Sequence, residues 1–166
     1  YIRQFKIAFK RLIMPKGVVG PHISKDEWDS QFESQNWQYL ANDNEREHYD
    51  HIIALYSRFG EGGSLLDIGC GAGLLYKYFK DSIGISDERY HGIDISSVAI
   101  DEAKALFPAV AFSVVDYDKE DIDRRYDVIV FNETVYYFDH AIKTLEKCFS
   151  NNLNPSGTII ISMCYH

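Results

Sequence analysis

The segment Leu65 to Gly73, LLDIGCGAG, constrains this chain more than any other stretch. A short apolar run enters three glycines, Gly69, Gly71 and Gly73, and a helix-like run beginning at Leu74 follows at once. Glycine at a strand-to-helix turn permits a tight backbone and lets a ligand approach the main chain. Downstream the alternation continues. The pattern predicts strands at 64–68, ending at 91–96, and at 110–115, 127–131 and 158–163, with helices from Leu74, over about 97–107 and over about 140–149. The segment LNPSG is read as the turn into the last of these strands. Strands spaced by helical segments imply an α/β fold, a doubly wound, Rossmann-like and mainly parallel sheet with helices on both faces.

With 166 residues, the chain suits one well-buried core better than two domains. A composition 46% hydrophobic and 25% charged is that of a globular protein. No run approaches the roughly 18 apolar residues of a membrane span, so a cytoplasmic protein is expected. Cys70, Cys148 and Cys164 lack C-x-x-C spacing and read as buried free thiols. The net charge of -8 is unevenly spread, because Arg3, Lys6, Lys10, Arg11 and Lys16 all precede the first acid, Asp26. The acidic body disfavours nucleic acid as a substrate, since Lys and Arg normally supply much of that affinity. A small or locally recognised partner molecule fits better.

Before the glycine turn, Ile2, Phe5, Phe9, Leu12 and Ile13 recur at helical spacing with Arg3, Lys6 and Lys10 largely elsewhere on the wheel. This reads as a basic amphipathic helix, packed on its own domain or making a weak membrane or partner contact. An aromatic stretch with Trp28, Phe32, Trp37 and Tyr39 follows, and a second helix is predicted over 44–59. His48 and His51 lie three apart on that helix, but no third ligand is evident and no metal is expected.

The acids narrow the ligand. Asp67 lies inside the strand just before the glycines, where a carboxylate suits a cationic ligand and would repel a pyrophosphate. The loop is G-x-G-x-G followed by Leu74 rather than the nicotinamide-type G-x-G-x-x-G, which argues against an NAD-dependent oxidoreductase. Asp94, with Ile95 beside it, ends the second strand, where an acid can accept hydrogen bonds from ribose hydroxyls. Asp116 ends the third strand and could meet an adenine amino group, with Tyr117 offering a ring face. Asn132 ends the fourth. The carboxyl ends of the strands line the ligand crevice of an open α/β sheet, so these residues are expected on one edge.

These motifs resemble the class I S-adenosylmethionine-dependent methyltransferase superfamily. LLDIGCGAG is similar to its first motif, HGIDIS to its second-strand acid motif, SVVDYD to its third, YDVIVFNETVYYF to its fourth, and LNPSGTIIIS to its fifth-strand turn with Ser156 in place of one glycine. The resemblance implies S-adenosylmethionine as cofactor and S-adenosylhomocysteine as product. Asp67, Gly69, Gly71 and Gly73 would hold the methionyl part, Asp94 the ribose, and Asp116 with Tyr117 the adenine side. It also implies a single methyltransferase domain over 1–166, with 1–44 as a helical and aromatic lid or appendage and 64–166 as the cofactor-binding core. Superfamily members normally continue into two more strands, so a chain truncated after its fifth strand is expected.

The stretch from Asn132 to His140 occupies the usual acceptor edge of that superfamily, and its E-x-x-Y-Y pattern is locally similar to nodulation N-methyltransferases. Glu133 and His140 are candidate bases, and Tyr136 a candidate for positioning the acceptor or facing the transferred methyl group. The expected activity is methyl transfer to oxygen or nitrogen of a small metabolite, an amino-sugar or natural-product intermediate. The alternative is a non-catalytic S-adenosylmethionine-binding module with a regulatory or scaffolding role. The sequence leaves the oligomeric state open.

Overall fold

The computed structural model describes residues 23–37, 46–60 and 62–163. The basic helix expected over 2–13, Tyr39 and Cys164 lie outside the described residues. Five strands form one sheet in the order β3-β2-β1-β4-β5: β1 Leu65–Ile68, β2 Tyr90–Asp94, β3 Ala111–Val114, β4 Tyr126–Asn132 and β5 Leu153–Ser162. Every strand pair is parallel, with Leu65 opposite Tyr90 on one side of β1 and opposite Val128 on the other. Between β1 and β4 the strand order reverses, which is where an open sheet of this kind opens a crevice.

The central strands are mostly apolar because both faces of the sheet are covered. All four residues of β1 are buried, and Val128, Ile129, Val130 and Phe131 of β4 are wholly inaccessible. Burying each such side chain contributes about 1.5–3 kcal/mol. One face packs against α2 (Arg46–Phe59), α3 (Leu74–Ile83) and α4 (Ser97–Leu106), through Tyr49, Ile52, Phe79 and Ile100. The other packs against α5 (Ala141–Lys147) and the wider turn that follows it at Cys148–Asn152, through Cys148, Leu145 and Ala141. Cys70 and Cys148 are buried free thiols.

Two elements differ from the sequence expectation. A helix not anticipated, α1 (Lys25–Glu33), precedes α2. Its start is a capping box, in which the Ser24 side chain accepts from the Glu27 amide and the Glu27 side chain accepts from the Ser24 amide. The LNPSG segment is not a turn ahead of β5 but an irregular part of it: Tyr126 pairs with Leu153 and Val128 already with Thr158. Asp127 sits opposite this bulge and gathers the Ser64 amide, the Ser64 hydroxyl and the Asn154 amide nitrogen, each at 2.8 Å. Those donors, Asn154 foremost, hold its carboxyl below the usual range. This knot ties β1, β4 and β5 together at the end of the sheet away from the glycine turn.

Candidate active site

The turn after β1 folds back on β2: the amides of Gly69 and Cys70 both donate to the Ile93 carbonyl, at 2.8 and 3.0 Å. Gly69 has φ +78, and a Cβ there would lie 2.2 Å from the Thr134 methyl group. Only glycine satisfies both conditions. The Thr134 hydroxyl donates to the Ile68 carbonyl at 3.0 Å, so the residue after Glu133 on the β4 side props the glycine turn. Asp94 completes it from β2, accepting from the Gly71 amide at 2.8 Å with one oxygen and from the Ser96 amide at 2.9 Å with the other. Burial pushes the Asp94 carboxyl up while these amides pull it down.

Asp67 is 1% exposed. One of its oxygens accepts from the Tyr90 hydroxyl, and the other is buried with no hydrogen-bond partner. Desolvation, opposed by Tyr90 and reinforced by the charge of Asp94, pushes its carboxyl up to about 7. A buried carboxylate with an open oxygen is costly unless a cation or donor meets it.

These groups border a cleft of about 1220 Å³ at the carboxyl ends of the strands. Asp67, Gly69, Gly71, Asp94 and Ile95 line its β1–β2 side. Asp116 lines it too, its carboxylate 2.6 Å from Lys119. Tyr117 borders the cleft but is 3% exposed; its hydroxyl donates to Asn152 at 2.7 Å and its ring packs among Phe131 and Phe138. Gly73 does not line the cleft. It is the left-handed residue that starts α3, against the rings of Phe107 and Phe112.

On the far side, Asn132, Glu133 and Tyr136 all line the cleft. Glu133 adopts φ +56, rare for a residue with a side chain. Its amide donates to the Ser162 carbonyl at 2.9 Å, tying the turn to β5. Its carboxylate accepts from the Tyr136 hydroxyl at 3.0 Å and the Ser162 hydroxyl at 3.3 Å. Burial first, and then the Glu133 charge, raise the Tyr136 phenol, which therefore stays protonated. The Asn132 side-chain oxygen is buried without a hydrogen-bond partner. His140 does not join this group: it is exposed at the start of α5 and lies outside the cleft lining, which ends one residue earlier at Asp139.

Sequence reasoning missed the way α1 is attached. Asp29 accepts from the Ser96 hydroxyl at 2.7 Å, the Ser97 hydroxyl at 3.1 Å and the Val98 amide at 3.3 Å, and it pairs with Lys25. Although burial acts in the opposite direction, these donors hold its carboxyl at about 2. The helix is thus bolted to the start of α4, two residues past Asp94. Phe32 then lies over the glycine turn, 3.4 Å from where a Gly71 Cβ would be. Trp28 meets Tyr137 edge-on at 4.9 Å and lies tilted by 35° against Trp37 at 5.7 Å. No local pattern announces the attachment of Asp29 to α4, since these partners lie 67 to 69 positions away. His48 borders the cleft from α2, whereas His51 is exposed.

A methyltransferase-domain family model matches residues 44–165, most of the chain and every strand of the sheet. The chain belongs to this family. Its parallel sheet and glycine turn are those of class I S-adenosylmethionine-dependent methyltransferases. The methyltransferase domain is 30% identical over 104 residues to the malonyl-[acyl-carrier protein] O-methyltransferase of Acetivibrio thermocellus, a match covering 61% of this chain and 36% of that protein. Among solved structures, the N-methyltransferase NodS from Bradyrhizobium japonicum, in complex with S-adenosyl-L-homocysteine, superposes with a TM-score of 0.61 at 21% identity, over 75% of this chain and 64% of that one. The plantazolicin methyltransferase BpumL, also bound to this product, gives 0.59 at 24% identity, over 80% and 55%. The chain therefore spans between about a third and two thirds of the length of these relatives. Among the described residues, no helix is long and apolar enough to cross a membrane.

Proposed function

We propose that this protein transfers a methyl group from S-adenosylmethionine to an oxygen or nitrogen atom of a small metabolite, an amino-sugar or a natural-product intermediate. The observation that carries the reading is the open, buried oxygen of Asp67 beside the glycine turn. The cofactor has an ammonium group to meet it, and the turn offers backbone where side chains would obstruct. Asp94 follows at the end of β2, its oxygens retaining lone pairs for ribose hydroxyls beyond the two amides they already accept. Asp116 stands at the adenine end with Tyr117 behind it, and Ile95 and Asn132 complete the wall.

When bound, the cofactor supplies an electrophilic methyl group on a sulfonium whose departure leaves a neutral thioether. The chain must hold the acceptor in line and keep water away; good alignment alone is worth about 7–11 kcal/mol of barrier. The α1 helix and its aromatic residues roof the cleft. Glu133 accepts the acceptor's proton, and Tyr136, held on that carboxylate, orients the acceptor.

Calorimetry with S-adenosylmethionine, S-adenosylhomocysteine and NAD tests the cofactor, and preferential NAD binding would reject the proposal. A labelled-methyl screen over hydroxyl, amine and sugar acceptors then tests turnover. Tight S-adenosylmethionine binding with no transfer to any acceptor would favour a non-catalytic binding module.

A further inference from the structure

The acceptor half of the cleft is built from rings and hydrogen-bond acceptors. Trp28, Trp37, Tyr136 and Tyr137 are joined ring to ring, at centroid distances of 5.7, 4.9 and 4.5 Å. None of the four belongs to either hydrophobic core; all are half-buried and line the cleft. Packing alone does not explain four large rings left facing an opening. The same cleft is lined by Glu133, whose carboxylate accepts from the Tyr136 hydroxyl at 3.0 Å, by Asn132, whose buried side-chain oxygen has no partner, and by Asp139. Among the described lining residues, the lysines and arginines are Lys25, Lys77 and Lys119, and each is paired with a carboxylate, Asp29, Asp81 and Asp116 respectively.

Three acceptor classes meet this surface differently. A carboxylate or phosphate faces Glu133 and Asp139 and finds no unpaired lysine or arginine among the described lining residues. A hydroxyl can donate one hydrogen bond but gains little from ring faces. An ammonium gains from the negative faces of the rings, from the Glu133 charge and from the Asn132 oxygen, which needs a donor.

We infer that the methyl acceptor is an amine that arrives as its ammonium ion, recognised by the Trp28, Trp37, Tyr136 and Tyr137 rings together with Glu133 and Asn132. This rests on the methyltransferase reading above and narrows it from oxygen or nitrogen to nitrogen. The ammonium gives one proton to the Glu133 carboxylate. The nitrogen lone pair so freed forms the new N–C bond while the C–S bond breaks and its electron pair stays on sulfur. The product leaves as a methylammonium, and the Glu133 proton passes to solvent.

The test is calorimetry on the protein saturated with S-adenosylhomocysteine, titrated with benzylamine, benzyl alcohol and benzoate, which share a ring and differ in charge. Benzylamine binds at least about tenfold tighter than the alcohol, the gain of one or two desolvated cation–π contacts, and benzoate does not bind measurably. In Glu133→Gln and in Trp28→Leu that preference shrinks to within about threefold, while S-adenosylhomocysteine affinity, the control for folding, is retained. If S-adenosylhomocysteine binds but the alcohol or benzoate equals the amine, or no probe binds, the amine inference fails and the methyltransferase reading stands. If the amine preference is present but S-adenosylhomocysteine does not bind, the methyltransferase reading fails instead.

Discussion

The two neighbouring turns that border the cleft, after β1 and after β4, use the same left-handed backbone for opposite ends. After β1, the positive φ angles fall on Gly69, Gly71 and Gly73, so the main chain is bared and side chains are absent. After β4, the positive φ falls on Glu133, where strain of about 1–3 kcal/mol is tolerated to aim a carboxylate into the cleft. On the proposed function, the first turn would meet the cofactor by backbone and the second the acceptor by side chain. A cofactor that is always the same suits a surface without side chains, and an acceptor that differs between relatives suits one made of them.

Breaking the first turn has the largest effect. Gly69→Ala places a methyl group against Thr134 at an unfavourable φ, and stability measured by urea unfolding falls by about 2–4 kcal/mol. S-adenosylhomocysteine binding is lost with it. Inverting the second turn gives a different result. Glu133→Gly relieves strain while removing two hydrogen bonds, so the unfolding free energy stays within about 1 kcal/mol of the parent. Methyl transfer in the labelled-methyl assay nevertheless falls by about 10² or more.

How much of this was legible in the sequence follows the same division. The glycine turn, the acids at the strand ends and the buried strands could be placed because each signal is local: three glycines within five positions, or a run of apolar residues between turns. The turn after β4 was placed at the cleft, but not which of its residues line it. His140 is four residues from Tyr136 and still leaves the cleft, since the start of α5 redirects the chain just after Asp139. Helix α1 carried its capping box in plain view, yet it buries no residue fully and so shows no apolar stripe. The proline and glycine of LNPSG signalled a turn; β5 absorbs them as a bulge, with the Asn154 side chain pinned on Asp127 opposite.

A third change sharpens the cofactor side through pH. Asp67 titrates near 7 when folded against 3.8 as an ordinary aspartate, so between those values the folded protein keeps a proton that the unfolded chain has released. Its contribution to stability therefore declines as pH rises from 3.8 to 7 and is level above that. Asp67→Asn abolishes this decline in unfolding free energies measured across that range. Because a bound ammonium favours the ionised form, S-adenosylhomocysteine affinity in the parent weakens below pH 7, by up to about tenfold per unit. Asp94 is also raised by burial and adds its own weakening; the part missing in Asp67→Asn belongs to Asp67. An affinity independent of pH from 5 to 8, by calorimetry, would contradict the assignment.

The smallest expected effect lies at the join between the two halves. Asp29→Ala unbolts α1 from Ser96, Ser97 and the Val98 amide and leaves the cleft-lining Lys25 without its carboxylate, although Asp29 itself does not line the cleft. S-adenosylhomocysteine affinity drops by about threefold to tenfold, as expected for losing hydrogen bonds that act only by holding a neighbour in place. A comparable loss from Lys104→Ala, elsewhere on α4, would show that the bolt itself does not matter.

The roof over the cleft has an optical consequence. Trp28 and Trp37 are the two tryptophans of the chain, and their rings lie 5.7 Å apart above the ligand space. All of the indole emission of the chain therefore originates from one small region. Its colour and intensity report the polarity of the cleft mouth and carry almost no signal from the sheet. A titration followed at this wavelength reads the roof, whereas unfolding followed by tyrosine absorbance or by backbone dichroism reads the body, so the two movements can be separated in one unlabelled sample.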